Sequence, residues 1–469
     1  MENIIRKNDI IKVKIDSIAF GGKGVARIDD FVVFVRGGIP KQKLKVKIIK
    51  KKKSFAEAII EKVIEQSPYY VEPPCKYFPD CGGCKHQDID YNFQLEMKDQ
   101  QIKEVIEHLG EFGDVKIEKT ISSPDIWSYR NRMDFSTSVK RWVLKENDPG
   151  TPDNFAIGLH APQRWDKVID IEKCLLQSDN RNDIFQDIKN FVRESDIDLL
   201  NARQHTGFLK QIIIRAGIHT NEIMINFVTR SEDPEKLKPL VRLLTKKYDN
   251  IRSIVNNITS KLGNQFIGEK ELLLYGKPFI HELLGNIKYK ISANSFFQTN
   301  TKGAEILFDV VKDFAKVDKK KVVWDFYSGA GSISLFLSEY SKQVYGFEIV
   351  QEAINDARNN CELNKINNCK FYFANLNNFL QQEGRLINTL EKPDVVIVDP
   401  PRAGLSPKFL EQMLKLDASR IVYVSCNIAT QIRDINLLTQ KKYQVIKFQP
   451  VDMFPHTAHL ESVALLKKM

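Results

Sequence analysis

The sequence predicts a multidomain α/β protein in three parts: an N-terminal β-barrel at about 1–66, a central α+β domain at about 67–290, and a C-terminal doubly wound α/β domain at about 291–469. Three observations carry this division. Apolar and polar residues alternate from Asp9 to Val63, strand-like and helical runs mix from about Ser123 to Ile287, and from Val322 each short apolar run is followed by a helical stretch. At roughly 150 residues per domain, a chain of 469 residues has room for about three domains.

Composition narrows the class further. With 42% hydrophobic and 28% charged residues the chain is globular, which excludes a disordered polyelectrolyte. No run approaches the roughly 18 consecutive apolar residues of a membrane span, and Met1–Asp9 is polar, so a cytoplasmic protein without a membrane role is expected. Of the net charge of +10, most falls on residues 1–70, with sixteen Lys and Arg against eight Asp and Glu; a polyanion is expected at that end. Seven cysteines in a chain of this length are too few for a disulfide scaffold and point to metal or catalytic roles.

In the first part, Ile11, Val13 and Ile15, then Val33 and Val35, then Leu44, Val46 and Ile48 mark strands. Gly21-Gly22, Asp29-Asp30 and Gly37-Gly38 mark the turns of a small antiparallel barrel. Lys41 to Lys53 holds eight lysines in thirteen residues. Such a run suits neutralisation of RNA phosphates, or else a merely solvated strand face.

A proline-rich joint, Pro68 to Pro79, leads into Cys75-x5-Cys81-x2-Cys84 and a helix over Phe93–Leu109. The runs Gln211–Ile214, Ile223–Phe227 and Glu271–Leu274 read as strands of the central domain. With Cys174 the three clustered cysteines make four thiols at no common zinc-finger spacing; zinc and a cubane iron–sulfur cluster both stay open.

The third part carries the chemistry. Val322–Phe326 runs into Tyr327-Ser328-Gly329-Ala330-Gly331-Ser332, a strand followed by a glycine turn and a helix start. The next strand ends at Glu348, placed to accept the two ribose hydroxyls of a nucleoside cofactor. The dinucleotide pattern is incomplete, which favours S-adenosylmethionine over NAD. Asp399-Pro400-Pro401-Arg402 follows the apolar strand Asp394–Val398, and Ser425-Cys426-Asn427 follows Arg420–Val424. A carboxylate and a thiol are thereby set at the ligand edge of a Rossmann-like sheet.

These motifs, together with Phe297-Gln298-Thr299-Asn300 and Asp452-Met453-Phe454-Pro455-His456-Thr457-Ala458-His459-Leu460-Glu461, resemble the bacterial RNA 5-methyluridine methyltransferases. The resemblance covers the whole chain and is to the branch with an OB-like TRAM barrel and an iron–sulfur cluster that modifies 23S rRNA. It implies an S-adenosylmethionine-dependent enzyme with Cys426 as nucleophile, Glu461 as general base, and Gln298, Tyr327, Glu348 and Asp399 on the cofactor. It also implies a [4Fe–4S] cluster on Cys75, Cys81, Cys84 and Cys174, with zinc as the alternative. RNA, above all 23S rRNA, is the expected partner, and the protein a monomer.

Two positions depart from the family pattern: Ser332 stands where many members carry asparagine, and Ile428 where proline usually follows Ser-Cys-Asn. The rival readings are the same reaction on the T-loop of tRNA, whose enzymes typically lack the barrel and the cysteines, and a non-catalytic RNA-binding or ribosome-assembly factor. Retention of both Cys426 and Glu461 argues against the second.

Overall fold

The computed structural model of the chain describes residues 5–144, 154–261, 268–379, 387 and 389–469. Met1 to Ile4 of the polar start lie outside them. The first sheet holds β1 (Ile10–Lys14), β2 (Ser17–Ile18), β3 (Gly24–Ile28), β4 (Phe31–Arg36), β5 (Lys43–Lys51) and β6 (Phe55–Glu65), in the order β1-β5-β6-β4-β3-β2. Period-two patterning builds it: Leu44, Val46 and Ile48 are fully buried while Lys43 and Lys45 face solvent. The sheet is not wholly antiparallel, which corrects the sequence expectation. β5 returns to pair with β1, so the β5–β6 hairpin inserts between β1 and β4, and β6 runs parallel to β4.

Next come α1 (Tyr91–Leu109), capped by the Asp90 carboxylate, which accepts from the Asn92 and Phe93 amides at 3.0 and 3.2 Å, and the short strand β7 (Lys116–Ile117). A second sheet follows, in the order β10-β9-β8-β11-β12-β13-β14. Its strands are β8 (Arg132–Ser138), β9 (Ala156–His160), β10 (Val168–Asp170), β11 (Leu209–Ala216), β12 (Ile223–Thr229), β13 (Ile251–Ile258) and β14 (Lys270–Gly276). Two helices, α2 (Asp179–Glu194) and α3 (Pro234–Lys247), cover it through Ile184, Ile188, Leu237 and Leu240. A hairpin of β15 (Phe279–Leu284) and β16 (Ile287–Ser292) then leads to α4 (Thr301–Ala315).

The third sheet contains β17 (Val322–Phe326), β18 (Gln343–Glu348), β19 (Cys369–Phe373), β20 (Val395–Val398), β21 (Arg420–Ser425), β22 (Tyr443–Val451) and β23 (Glu461–Lys468). Its helices are α5 (Ser332–Ser338), α6 (Gln351–Leu363), α7 (Pro407–Leu416) and α8 (Ile428–Thr439). The order is β19-β18-β17-β20-β21-β23-β22-β7, parallel from β19 to β21 and antiparallel on both sides of β23. Alternate residues serve two cores. Val323, Ile397 and Val422 pack with α4, α5 and α6, and Trp324, Val396 and Tyr423 with α1, α7 and α8. Burial on both faces is why these strands read as continuous apolar runs. The short strand β7 joins this sheet beside β22, although it lies about 200 residues before β17 in the chain. Among the described residues, no helix is long and apolar enough to cross a membrane.

Candidate active site

The strand order reverses at β17, which has β18 on one side and β20 on the other, so the crevice at their C-terminal ends is the ligand position of a doubly wound sheet. Its floor is the turn after β17. Tyr327 has φ +63°, Gly329 +54° and Gly331 +82°. At Gly331 a Cβ would come within 2.7 Å of both Leu335 and Phe371, so glycine is required by space as well as by conformation.

Glu348, at the end of β18, accepts the Gly329 amide at 3.0 Å and those of Ile349 and Val350 at 2.7 and 3.0 Å. Asp325, at the heart of β17, accepts the Ser334 hydroxyl at 2.5 Å through one oxygen. Its other oxygen and the Ser328 hydroxyl have no hydrogen-bond partner among the described residues. Burial, only partly offset by Ser334, and then the charges of Asp399 and Glu348, push Asp325 up to about 7. Burial alone pushes Asp399 to about 7. Burial, followed by Asp434 and Glu348, raises Tyr327 to about 12. Buried carboxylates that sense one another, beside orphaned polar atoms, fit a cofactor that is cationic and rich in hydroxyls.

On the other side of Asp399 lie Cys426 and Glu461. Strands β21 and β23 run antiparallel with Ser425 opposite Ser462, so Cys426, just after β21, and Glu461, the first residue of β23, lie at the same end of the pair. Glu461 is only 8% exposed, and burial, then the charge of Asp399, raise it to about 8 against the opposing pull of Arg402. Burial and then the Glu461 charge raise the Cys426 thiol, while Arg402 lowers it by charge and by a hydrogen bond. Arg402 also meets His459 Nδ1 at 3.0 Å. Its backbone carbonyl accepts from Asn427 Nδ2 and Thr430 Oγ1, which tethers the Asp399–Arg402 loop to the start of α8.

Of the residues expected from sequence, Tyr327, Glu348, Asp399, Cys426 and Glu461 gather along this one edge. Gln298 is linked to it through its segment. Its carbonyl accepts Asn131 Nδ2 at 2.7 Å, and Asn300, the N-cap of α4, reaches the carbonyl of Met453 in the loop that leads to Glu461. The sequence reading gave Arg402 no role. Its one signal in the sequence is its place three residues after Asp399; folding brings its guanidinium near enough to lower both the Cys426 thiol and the Glu461 carboxyl group.

All four expected cysteines are free thiols: Cys84 and Cys174 are buried in the core of the second sheet, and Cys75 and Cys81, partly buried, pack against it. Burial raises Cys81 and Cys174 to about 12, and each thiol is raised further by the charges of other cysteines of the four. The Gly83 amide donates to Cys81 Sγ at 3.4 Å. Among the described residues, no three His, Cys, Asp or Glu side chains are grouped closely enough to hold a metal ion. The next residues in the chain join this loop to the active site. The amides of Lys85 and His86 donate to the His456 carbonyl at 2.7 and 3.1 Å, the His456 ring stacks on Trp127, and Lys98 pairs with buried Asp452 at 2.6 Å.

A glycine turn, an acidic residue at the end of the second strand and an antiparallel last pair of strands define a Rossmann-like methyltransferase. Comparison with known proteins supplies the family. Residues 90–469 match the family described as tRNA (Uracil-5-)-methyltransferase, and residues 6–60 match the TRAM domain. An RNA methyltransferase of Halalkalibacterium halodurans is 35% identical over 99% of this chain and 98% of its own. One of Clostridium acetobutylicum is 36% identical over the full length of both. The crystal structure of the Pyrococcus abyssi tRNA (uracil-54, C5)-methyltransferase in complex with S-adenosyl-L-homocysteine aligns with a TM-score of 0.76 at 29% identity, covering 97% of this chain and 99% of that one. The chain belongs to the RNA (uracil-5-)-methyltransferase family and carries an N-terminal TRAM domain.

That last match alters one sequence argument. It covers 97% of this chain, and so must take in most of the barrel. The barrel therefore does not separate rRNA from tRNA enzymes.

Proposed function

We propose that this enzyme methylates carbon 5 of a uridine in 23S rRNA through a covalent adduct on Cys426. The observation that carries the mechanism is the placement of Cys426, Glu461 and Arg402 at one strand end beside the carboxylate-lined crevice. S-adenosylmethionine, held by Gln298, Tyr327, Glu348 and Asp399, supplies an electrophilic methyl group. Arg402 stabilises the Cys426 thiolate, which adds to carbon 6 of the uracil and shifts the electron pair of the 5,6 double bond towards carbon 5. Carbon 5 then takes the methyl group as the sulfur–methyl bond breaks and S-adenosylhomocysteine is left, and Glu461 removes the proton from carbon 5. The double bond re-forms and the thiolate leaves from carbon 6. A carboxyl group raised to about 8 is a far stronger base than an ordinary carboxylate once it is ionised. The target base must be turned out of its stack, at a cost of a few kcal/mol that is least in a loop.

The division at about 1–66, 67–290 and 291–469 assigns RNA-backbone binding to the lysine-bearing barrel. Within the central part, Cys75, Cys81, Cys84 and Cys174 hold a [4Fe–4S] cluster. Cys81 and Cys174 each sense the charges of other cysteines of the four, which supports one shared ligand for the set, and the spacing of the four matches no common zinc finger. A monomer in the cytoplasm completes the reading.

The Pyrococcus abyssi likeness favours a second substrate, the tRNA T-loop. Mapping 5-methyluridine in RNA from cells with and without the gene decides between them. Loss confined to 23S rRNA is expected; loss confined to tRNA overturns the rRNA assignment.

A further inference from the structure

Away from the crevice, a cavity of about 270 Å³ opens beside β8 and β11, bordered by Ser136, Lys210, Gln211, Arg230, His160 at the end of β9, and Trp165 in the connection that follows it. It lies toward the end of the β8–β11 pair opposite Asn131, the residue that holds the Gln298 carbonyl. At about 3.3 Å per residue the separation is roughly 15–25 Å. Several nucleotides of a single strand can bridge that span.

Three buried side-chain atoms on this one lining have no hydrogen-bond partner among the described residues: His160 Nδ1, Gln211 Oε1 and Arg230 Nη1. Gln211 is only 6% exposed. Folded proteins leave few such groups unpaired, and three of them lie on residues that line this cavity. The charge of the lining is positive. Lys210, Arg230 and Lys261 contribute cations, while the carboxylate of Asp166 is engaged by Arg203 at 2.6 Å. Trp165, 67% exposed, offers a flat indole at the rim. An inorganic anion would use the cations and leave the indole and the amide oxygen idle. A nucleotide uses all of them, because its phosphate takes the cations, its base stacks on an aromatic ring, and its base edge carries both donors and acceptors.

We propose that this cavity binds one nucleotide residue of the RNA strand, its phosphate on Arg230 and Lys210, its base on Trp165, and its base edge on Gln211 and His160. The proposal rests on the enzyme acting on RNA and is independent of which uridine is methylated or how.

The test uses the full-length protein carrying Cys426→Ala, so that no turnover intervenes, and a fluorescent single-stranded RNA dodecamer of mixed sequence. Trp165→Ala and Arg230→Gln should each weaken binding at least about fivefold, the low end expected for loss of one stacked base. Arg230→Gln should also reduce the slope of log affinity against log salt by about 0.7, and Trp165→Ala should leave it unchanged. S-adenosylmethionine affinity serves as the folding control and should stay as it was. Trp165 is exposed, so its variant keeps the test decisive if Arg230→Gln fails to fold. Unchanged RNA affinity in the folded variants overturns the proposal. So does saturable binding of adenosine monophosphate that the dodecamer does not displace, since the pocket would then serve a free nucleotide. Failure of Cys426 to form an adduct with uracil would leave this outcome untouched.

Discussion

Cys426 directly follows β21 and Glu461 opens β23, antiparallel neighbours whose register pairs Ser425 with Ser462, so both residues lie at the same end of the strand pair and the Glu461 charge bears on the Cys426 thiol. Arg402 bears on both groups from the loop that also carries Asp399. Cys426 and Glu461 therefore share one cation and one buried carboxylate, and the Glu461 charge raises the thiol.

Separating the two roles is direct. Glu461→Gln keeps the shape of the side chain and removes the base, so attack and methyl transfer should proceed while elimination stalls. Methylated RNA should remain bound to the protein on a denaturing gel, with multiple turnover reduced at least about 100-fold, the range of a general base. Free turnover at the wild-type rate would remove Glu461 from the chemistry.

The carboxylates also set a pH dependence. Asp325 and Asp399 at about 7 and Glu461 at about 8 lie above the ordinary carboxylate range, so the folded state retains protons that the unfolded chain has already released. Their contribution to stability is fully present below about pH 4 and is lost as pH rises through 7 to 8. The melting temperature of Asp399→Asn without cofactor should fall less over pH 5 to 8 than that of the wild type. S-adenosylmethionine carries a sulfonium cation and should bind more tightly as pH rises through 7, with S-adenosylhomocysteine, uncharged at sulfur, showing a shallower rise. Titration calorimetry across that range checks both affinities, and parallel profiles for the two ligands would contradict the assignment.

For the cysteines, protein purified without oxygen should be brown and contain about four irons per chain. Cys81→Ser should lose both. Because Lys85 and His86 hold the His456 carbonyl, this variant should also show faster amide exchange in residues 452–460, which lead to Glu461. Colourless, active protein with one zinc would overturn the cluster.

The lysine run is tested by replacing Lys50, Lys51, Lys52 and Lys53 with Gln. Binding to target and unrelated RNA should weaken alike, with S-adenosylmethionine affinity unchanged, because phosphate contacts carry little sequence information. An unaltered salt slope would mean that these lysines form only a solvated strand face.

Much of this architecture is legible in the chain itself, wherever a local pattern reports burial. Leu44, Val46 and Ile48 alternate with lysines because one face of their strand is wet; Val395–Val398 is unbroken because both faces are buried. Non-local pairing leaves no such trace. Lys116–Ile117 is too short to show a period, and only the exposed edge of β22 makes it a strand. The parallel pairing of β4 with β6 follows from where the β5–β6 hairpin inserts, and the Lys98–Asp452 ion pair joins residues 354 apart. Arg402 and the cavity beside Gln211 belong to the same class, because each is created by elements that meet only in the folded protein.

The most direct test of the central claim is covalent trapping. The protein is incubated with S-adenosylmethionine and a uridine-containing substrate RNA in which the target carries 5-fluorouridine. Attack at carbon 6 and methylation of carbon 5 can proceed, but fluorine cannot leave as a proton does, so elimination is blocked. The account predicts a stable protein–RNA adduct whose RNA-bearing peptide contains Cys426, and no adduct from Cys426→Ala. An adduct of equal yield in that variant, or one mapped to another residue, would contradict it.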